Sequence, residues 1–291
     1  MEPGCKQISS RISVALFFYS ILCVLLLLSA CTGPNVRFDR LAEGCGFFRQ
    51  TVQASVFSHV LFTNRHFGAG RRLHVYLGGD GVPWIRGRWL SADPTPGDAV
   101  GLRLMALDRM PSVYLGRPCY HGSGPAGTCD PVIWTQARYS SGVVQSLQQV
   151  VRLVLAEGGY TELVLIGYSG GGALAMLLAP HFPETQALVT IAGNLDIDAW
   201  TTHHGYLPLN GSLNPKALPR LATSLRQIHL IGEADINIPP WMSRSALRGQ
   251  PAARIIEWPR FDHGCCWERV WPEILACLDS GCVWPGLPSQ R

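Results

Sequence analysis

Three residues far apart in the chain have the types and order needed for nucleophilic catalysis. Ser169 sits in Gly167-Tyr168-Ser169-Gly170-Gly171, a G-x-S-x-G pentapeptide. Five residues of this form recur by chance, so the flanks carry the weight. An apolar run, Leu163 to Ile166, precedes the motif, and a small-residue segment of helical character, Gly171 to Leu178, follows it. A strand that turns sharply into a helix lifts the serine hydroxyl above the sheet edge and sets a helix N-terminus beneath it, where negative charge is favoured. Side chains at positions 167 and 171 would collide with their neighbours in such a turn. A phosphate-cradling loop would need a lysine after the glycines or a G-x-G-x-x-G pattern, and neither is present.

A serine hydroxyl is a weak nucleophile until a base takes its proton. Downstream histidines are His181, His203, His204, His229 and His263. His229 falls inside an apolar strand and reads as structural, and His181 ends the helix after the serine. His203 and His204 lie in an irregular stretch suited to a substrate or surface role. His263, in Phe261-Asp262-His263-Gly264 between the last strand and the last helix, is the expected base. An acid must then orient the imidazole and stabilise its cation. Asp235 follows the strand Gln227–Ile231 in Gly232-Glu233-Ala234-Asp235 and is the expected acid. Asp196, one strand earlier, is the rival, and Glu233 is a lesser one. Asp262 is too close in sequence to reach the far ring nitrogen and reads as a loop cap.

A tetrahedral intermediate needs two N–H donors. Gly170, directly after the serine, is expected to supply one. The other is expected from Gly79 or Asp80, in the Gly78-Gly79-Asp80-Gly81 turn after the strand Arg72–Leu77, because glycine lets backbone approach a substrate closely.

Positioning these groups requires strands that end together. Near-continuous apolar runs at Arg72–Leu77, Val113–Leu115, Leu163–Ile166, Ala187–Ala192, Gln227–Ile231 and Arg254–Trp258 predict buried parallel strands. Helical patterns separate several of them: Asp98–Asp108, Ser141–Glu157 closed by Gly158-Gly159, and Trp271–Leu278 at the end. Thr51–Phe57 and His59–Thr63 read as an opening antiparallel pair. Ala192 to Leu225, rich in Pro, Asn and Gly, reads as a short lid-like insertion. The expected class is α/β, with a mostly parallel central sheet and helices on both faces.

The chain has 291 residues, 47% of them hydrophobic and 15% charged, a globular composition. A net charge of +4 with no basic run argues against nucleic-acid binding. Lys6 and Arg11 precede an apolar stretch, Ile12 to Leu28, which ends in Leu28-Ser29-Ala30-Cys31. This has the form of a secretory signal closing on a site for cysteine lipidation. Residues 1–30 are therefore expected to be removed, Cys31 acylated, and residues 31–46 a tether to a domain spanning 47–291. The chain without residues 1–30 has 22 basic and 19 acidic residues. Thr32 after the cysteine favours the outer membrane if the host is Gram-negative. The competing reading is an uncleaved anchor, since about 17 apolar residues approach a bilayer span.

Beyond Cys31 lie seven cysteines, an odd number, so one thiol at least stays unpaired. Cys119 and Cys129 bracket a Gly/Pro-rich loop and are expected to form a disulfide in an exported chain. Cys277 and Cys282 are a second candidate pair. No C-x-x-C occurs, and no metal site is expected.

Residues 50–280 resemble the α/β-hydrolase superfamily through the serine motif and the Ser, Asp, His order. Leu77-Gly78-Gly79-Asp80-Gly81-Val82-Pro83-Trp84, Arg117-Pro118-Cys119, Gly193-Asn194-Leu195-Asp196 and His263-Gly264-Cys265-Cys266-Trp267 also resemble a little-characterised group of bacterial hydrolases, many of them lipoproteins. Leu77 and Gly78 depart from the His-Gly that lipases often carry at the first turn. The resemblance implies a serine hydrolase without metal or organic cofactor, acting on a small acyl substrate such as a carboxylic ester, thioester or amide. It would be held outside the cytoplasm in the cell envelope by a lipid anchor. The alternatives are a serine peptidase and a non-catalytic binding lipoprotein that keeps the fold.

Overall fold

A computed structural model of the chain describes residues 33–124 and 129–280. The expected signal, the expected lipidation site at Cys31, and Cys282 lie outside the described residues.

Ten strands are described: β1 (Phe48–Gln53), β2 (Ser58–Thr63), β3 (Arg72–Leu77), β4 (Trp84–Ile85), β5 (Trp89–Leu90), β6 (Ser112–Leu115), β7 (Glu162–Tyr168), β8 (Thr185–Ile191), β9 (Arg226–Gly232) and β10 (Ala253–Trp258). Eight of them form one sheet in the order β1-β2-β6-β3-β7-β8-β9-β10. The strands from β6 to β10 in that order run parallel, while β2 is antiparallel to both β1 and β6. The order β6-β3-β7 places the serine strand in the sheet interior, where the apolar run predicted it.

The strands are apolar at nearly every position because both faces are covered. Along β7, Leu163 and Leu165 enter the core on one face, and Val164 and Ile166 enter the core on the other. Seven α-helices are described: α1 (Pro34–Gly44), α2 (Val100–Met105), α3 (Ser141–Gly158), α4 (Gly170–Leu178), α5 (Ile197–His204), α6 (Pro240–Leu247) and α7 (Trp267–Ser280). The buried side chains of α3 and α4 join the first core; those of α1, α2 and α7 join the second. In α3, the Ser140 side chain accepts a hydrogen bond from the Val143 N–H, and Gly159 stops the helix in a left-handed conformation (φ 64°).

Two segments differ from expectation. The stretch expected to be part of a tether forms α1 over residues 34–44. Phe38 and Ala42 are buried, and the Phe38 ring packs against Phe62, Tyr114 and His121, so the folded domain starts well before residue 47. The lid-like stretch 192–225 contains α5, started by the Asp196 side chain accepting from the Ala199 N–H and closed by left-handed Gly205. The β4–β5 hairpin and α6 were not legible in the sequence at all. Cys119 is disulfide-bonded to Cys129, and Cys265 to its neighbour Cys266; Cys45 is a free thiol.

Candidate active site

The parallel strands end at one edge, and the expected residues meet there. Ser169 follows β7 directly and is the N-terminal flank of α4, with φ 54° and ψ −122°. This conformation is costly for a residue with a side chain and is sustained by its surroundings. The Ser169 N–H donates to Ile191 O, and its carbonyl accepts from the N–H groups of Gly172 and Asn194. A β-carbon on Gly167 would lie 2.2 Å from the Gly171 carbonyl oxygen, and one on Gly171 would lie 2.0 Å from that of Leu77. Both flanking glycines are thus required by backbone contact.

His263 comes to Ser169 across 94 residues of sequence. Its Nε2 is 2.9 Å from Ser169 Oγ, and its Nδ1 is 2.9 Å from Asp235 Oδ2. The other carboxylate oxygen of Asp235 accepts from the N–H groups of Asn237 and Ile238, both at 2.8 Å. A buried carboxylate held this way cannot swing away from the ring. Accepting from the ring, it favours the tautomer with the proton on Nδ1, which leaves the Nε2 lone pair facing the serine hydroxyl.

The rivals are engaged elsewhere. Asp196 starts α5 and binds Lys216 Nζ at 2.6 Å and Asn214 Nδ2 at 3.2 Å. Glu233 is exposed. Asp262 Oδ1 accepts from the N–H groups of Gly264 and Cys265, which shapes the loop carrying His263. His229 is buried against Thr190 Oγ1, and burial holds its pKa down at about 3.

The first glycine turn lies against the serine. A β-carbon on Gly79 would sit 3.3 Å from Ser169 Cβ. The N–H groups of Asp80 and Gly170 have no backbone acceptor among the described residues. The Asp80 carboxylate does something the sequence did not reveal. It is largely buried, 2.8 Å from Arg117 and 2.9 Å from Arg138, and it accepts from the Tyr139 hydroxyl at 2.6 Å. Burial alone would raise its pKa, but the two guanidinium groups and the hydroxyl overcome that and hold it at about 2. A β-carbon on Gly170 would fall 1.9 Å from Asp80 Oδ1, so this ion cluster sits directly against the residue after Ser169. The cluster fixes the turn from below.

Other contacts were also missed by sequence reasoning. Tyr168 and Trp267 both donate to the His263 carbonyl at 3.1 Å and pin its loop. Asn237 Nδ2 lies 3.1 Å from His263 Nε2, and Trp200 Nε1 donates to Asn237 Oδ1 at 3.2 Å, which fixes the amide orientation. Tyr168 and Trp267 were within the quoted motifs, but nothing in their spacing signals a shared acceptor.

Ser169 and His263 open into a cleft of about 1180 Å³ between the first glycine turn with its β4–β5 hairpin and the segment that follows β8. Asn194 lines it, with a buried Oδ1 that has no protein partner among the described residues.

No protein-family model matches the chain, and no curated protein matches its sequence. Solved structures match its shape. One is an α/β serine hydrolase without a lid from Xanthomonas campestris: 15% identity, TM-score 0.52, 81% of this chain and 93% of that one. Another is a membrane phospholipase A described as a bacterial virulence factor: 16% identity, TM-score 0.54, 93% and 98%. A third is α/β-hydrolase domain-containing protein 10 from mouse: 13% identity, TM-score 0.54, 80% and 97%. The chain has the α/β-hydrolase fold.

Proposed function

We propose that the protein is a serine hydrolase that cleaves a carboxylic ester through an acyl-Ser169 intermediate. The observation that carries this reading is the continuous Ser169–His263–Asp235 relay, with both bonds at 2.9 Å.

His263 Nε2 takes the proton as Ser169 Oγ attacks the carbonyl carbon. The oxyanion that forms is met by the N–H of Gly170 and by that of Gly79 or Asp80, close to the positive end of α4. Collapse breaks the carbon–oxygen bond, and the imidazolium returns its proton to the leaving alcohol. Water then repeats the sequence with His263 as base and frees the acid. Every group that moves a proton belongs to the chain.

The test is labelling with a fluorophosphonate together with turnover of acyl esters of graded length. Wild type should label and turn over; Ser169→Ala should do neither while keeping its circular dichroism spectrum. Activity of Ser169→Ala within tenfold of wild type would remove Ser169 from the mechanism, since losing a nucleophile costs far more.

We also propose that Cys31 is acylated and holds the hydrolase at a membrane outside the cytoplasm. Support comes from the positively charged start, the apolar run to Leu28 and the small residues before the cysteine. Wild type should incorporate labelled palmitate and fractionate with membranes, and Cys31→Ala should lose the label. Recovery of an unlabelled wild-type chain still carrying residues 1–30 would replace this reading with a plain anchor.

A further inference from the structure

We propose that the β4–β5 hairpin seats the mouth of the cleft on an anionic phospholipid surface, so that the site draws its acyl ester from lipid. The proposal rests on the hydrolase reading and names its substrate class.

All residues from Trp84 to Leu90 are exposed, in the sequence Trp-Ile-Arg-Gly-Arg-Trp-Leu. Trp89 is 65% exposed, Leu90 49%, Ile85 47% and Trp84 44%. Large apolar side chains gathered on one projecting ribbon mark a surface that meets something apolar. The ribbon is held in shape: Arg86 and Gly87 take positive φ of 53° and 65°, and the Arg88 N–H returns to Ile85 O. Across the cleft stand Leu207, 87% exposed, and Tyr206, 54% exposed. Trp84, Leu90, Tyr206 and Leu207 all line the same cleft as Ser169, so the apolar rim and the nucleophile share one opening.

Charge selects the partner. Arg86 and Arg88 flank the tip, and neither has an acidic partner among the described residues; Arg88 lies over the Trp89 ring, 5.7 Å from its centre. Carboxylates along the cleft are committed within the fold: Asp80 to its two arginines, Asp98 to Arg103, and Asp130 to the Val132 N–H. Tryptophan side chains beside free guanidinium groups suit the headgroup layer of an anionic bilayer, where rings sit at the interface and cations meet phosphates.

Chain connection agrees with this orientation. The proposed lipid site, Cys31, lies three residues before Pro34, where α1 begins, so about 10 Å of extended chain at most separates the anchor from α1. A relay of contacts connects the first turn of α1 to the foot of the hairpin. Asn35 Nδ2 is 3.2 Å from where a β-carbon on Gly122 would stand. The neighbouring His121 N–H donates to Thr95 Oγ1, and Val82 N–H donates to Pro94 O at the foot of the ribbon.

The full-length protein is incorporated into phosphatidylcholine vesicles with or without 30% phosphatidylglycerol. Tryptophan quenching by acyl-brominated lipid is read, and two hydrolysis rates are compared: phospholipid in the vesicle and a soluble short-chain ester. In wild type, quenching should rise with phosphatidylglycerol, and Trp84→Phe/Trp89→Phe should lose that rise. Arg86→Glu/Arg88→Glu should lower the vesicle rate at least tenfold and leave the soluble rate within twofold; Arg86→Lys/Arg88→Lys should restore it. Quenching that ignores lipid charge, or two rates that fall together, would overturn the proposal. Crosslinking of the ribbon to a protein, without lipid quenching, would also overturn it and assign the surface to that protein. Failure to cleave either ester defeats the hydrolase reading, while the quenching comparison still reads the surface.

Discussion

At the scale of residues, the site separates two aspartates that look alike in sequence. Both follow a parallel strand and both are buried. Asp235 faces His263 Nδ1, whereas Asp196 is held by Lys216 and Asn214 and starts α5. Asp235→Asn should therefore lower kcat by about 10⁴ with the fold intact, because the amide favours the wrong tautomer of the imidazole. Asp196→Asn should keep kcat within a few-fold and, since Asn still caps α5, cost at most about 1 kcal/mol of stability through the lost Lys216 ion pair, measured by urea titration. If turnover fell more for Asp196→Asn, with both variants folded, the acid would be on the wrong strand. Asp235 was the acid read from its place after the strand, but the contact itself depends on where the His263 loop lands after β10, which no local stretch encodes.

At the scale of elements, α1 and the Asp80 turn carry the informative differences. α1 was read as tether because its sequence, Pro-Asn-Val-Arg-Phe-Asp-Arg-Leu-Ala-Glu-Gly, is polar overall. Only Phe38 and Ala42, four residues apart on one face, commit it to the core. Phe38→Ala should cost about 3–4 kcal/mol in chemical denaturation, the price of emptying an aromatic core position. A loss under about 0.5 kcal/mol would return the segment to a tether. The Asp80 turn shows the opposite relation. Its glycines were legible as a close-approach loop, but its carboxylate was read only for its N–H. Asp80→Asn would leave Arg117 and Arg138 buried without their counter-ion, with an expected loss of about 3–5 kcal/mol. The thermal unfolding midpoint of the variant checks this.

At the scale of the whole molecule, buried histidines make stability depend on pH. Burial holds His59 at about 4 and both His121 and His229 at about 3, all below the ordinary 6.5. Below pH 6.5 the unfolded chain binds protons that the folded chain refuses, so stability should fall steadily from about pH 6.5 down to about pH 3–4. Asp80 acts in a lower window. Its pKa of about 2 lies under the ordinary 3.8, so its contribution is whole above pH 3.8 and is lost as pH falls towards 2. Unfolding midpoints between pH 7 and pH 4 should decline throughout; a flat profile would show that these histidines titrate normally in the folded state.

The sequence by itself determined the buried parallel strands, the elbow and the Ser, Asp, His order. Fully buried parallel strands must be apolar throughout, and the elbow must have glycine where backbone touches backbone, so both leave local marks. Ser169 and His263 could be read because each lies where a strand ends, and a strand end is visible in a single stretch of chain. Tertiary structure decided the rest. Asn237 beside His263, the Arg117–Asp80–Arg138 cluster under Gly170 and the apolar rim around the cleft each join segments tens of residues apart. Such contacts are set by the sheet order β6-β3-β7-β8-β9-β10, which brings loop ends together, and no periodicity within one segment encodes which loops will meet.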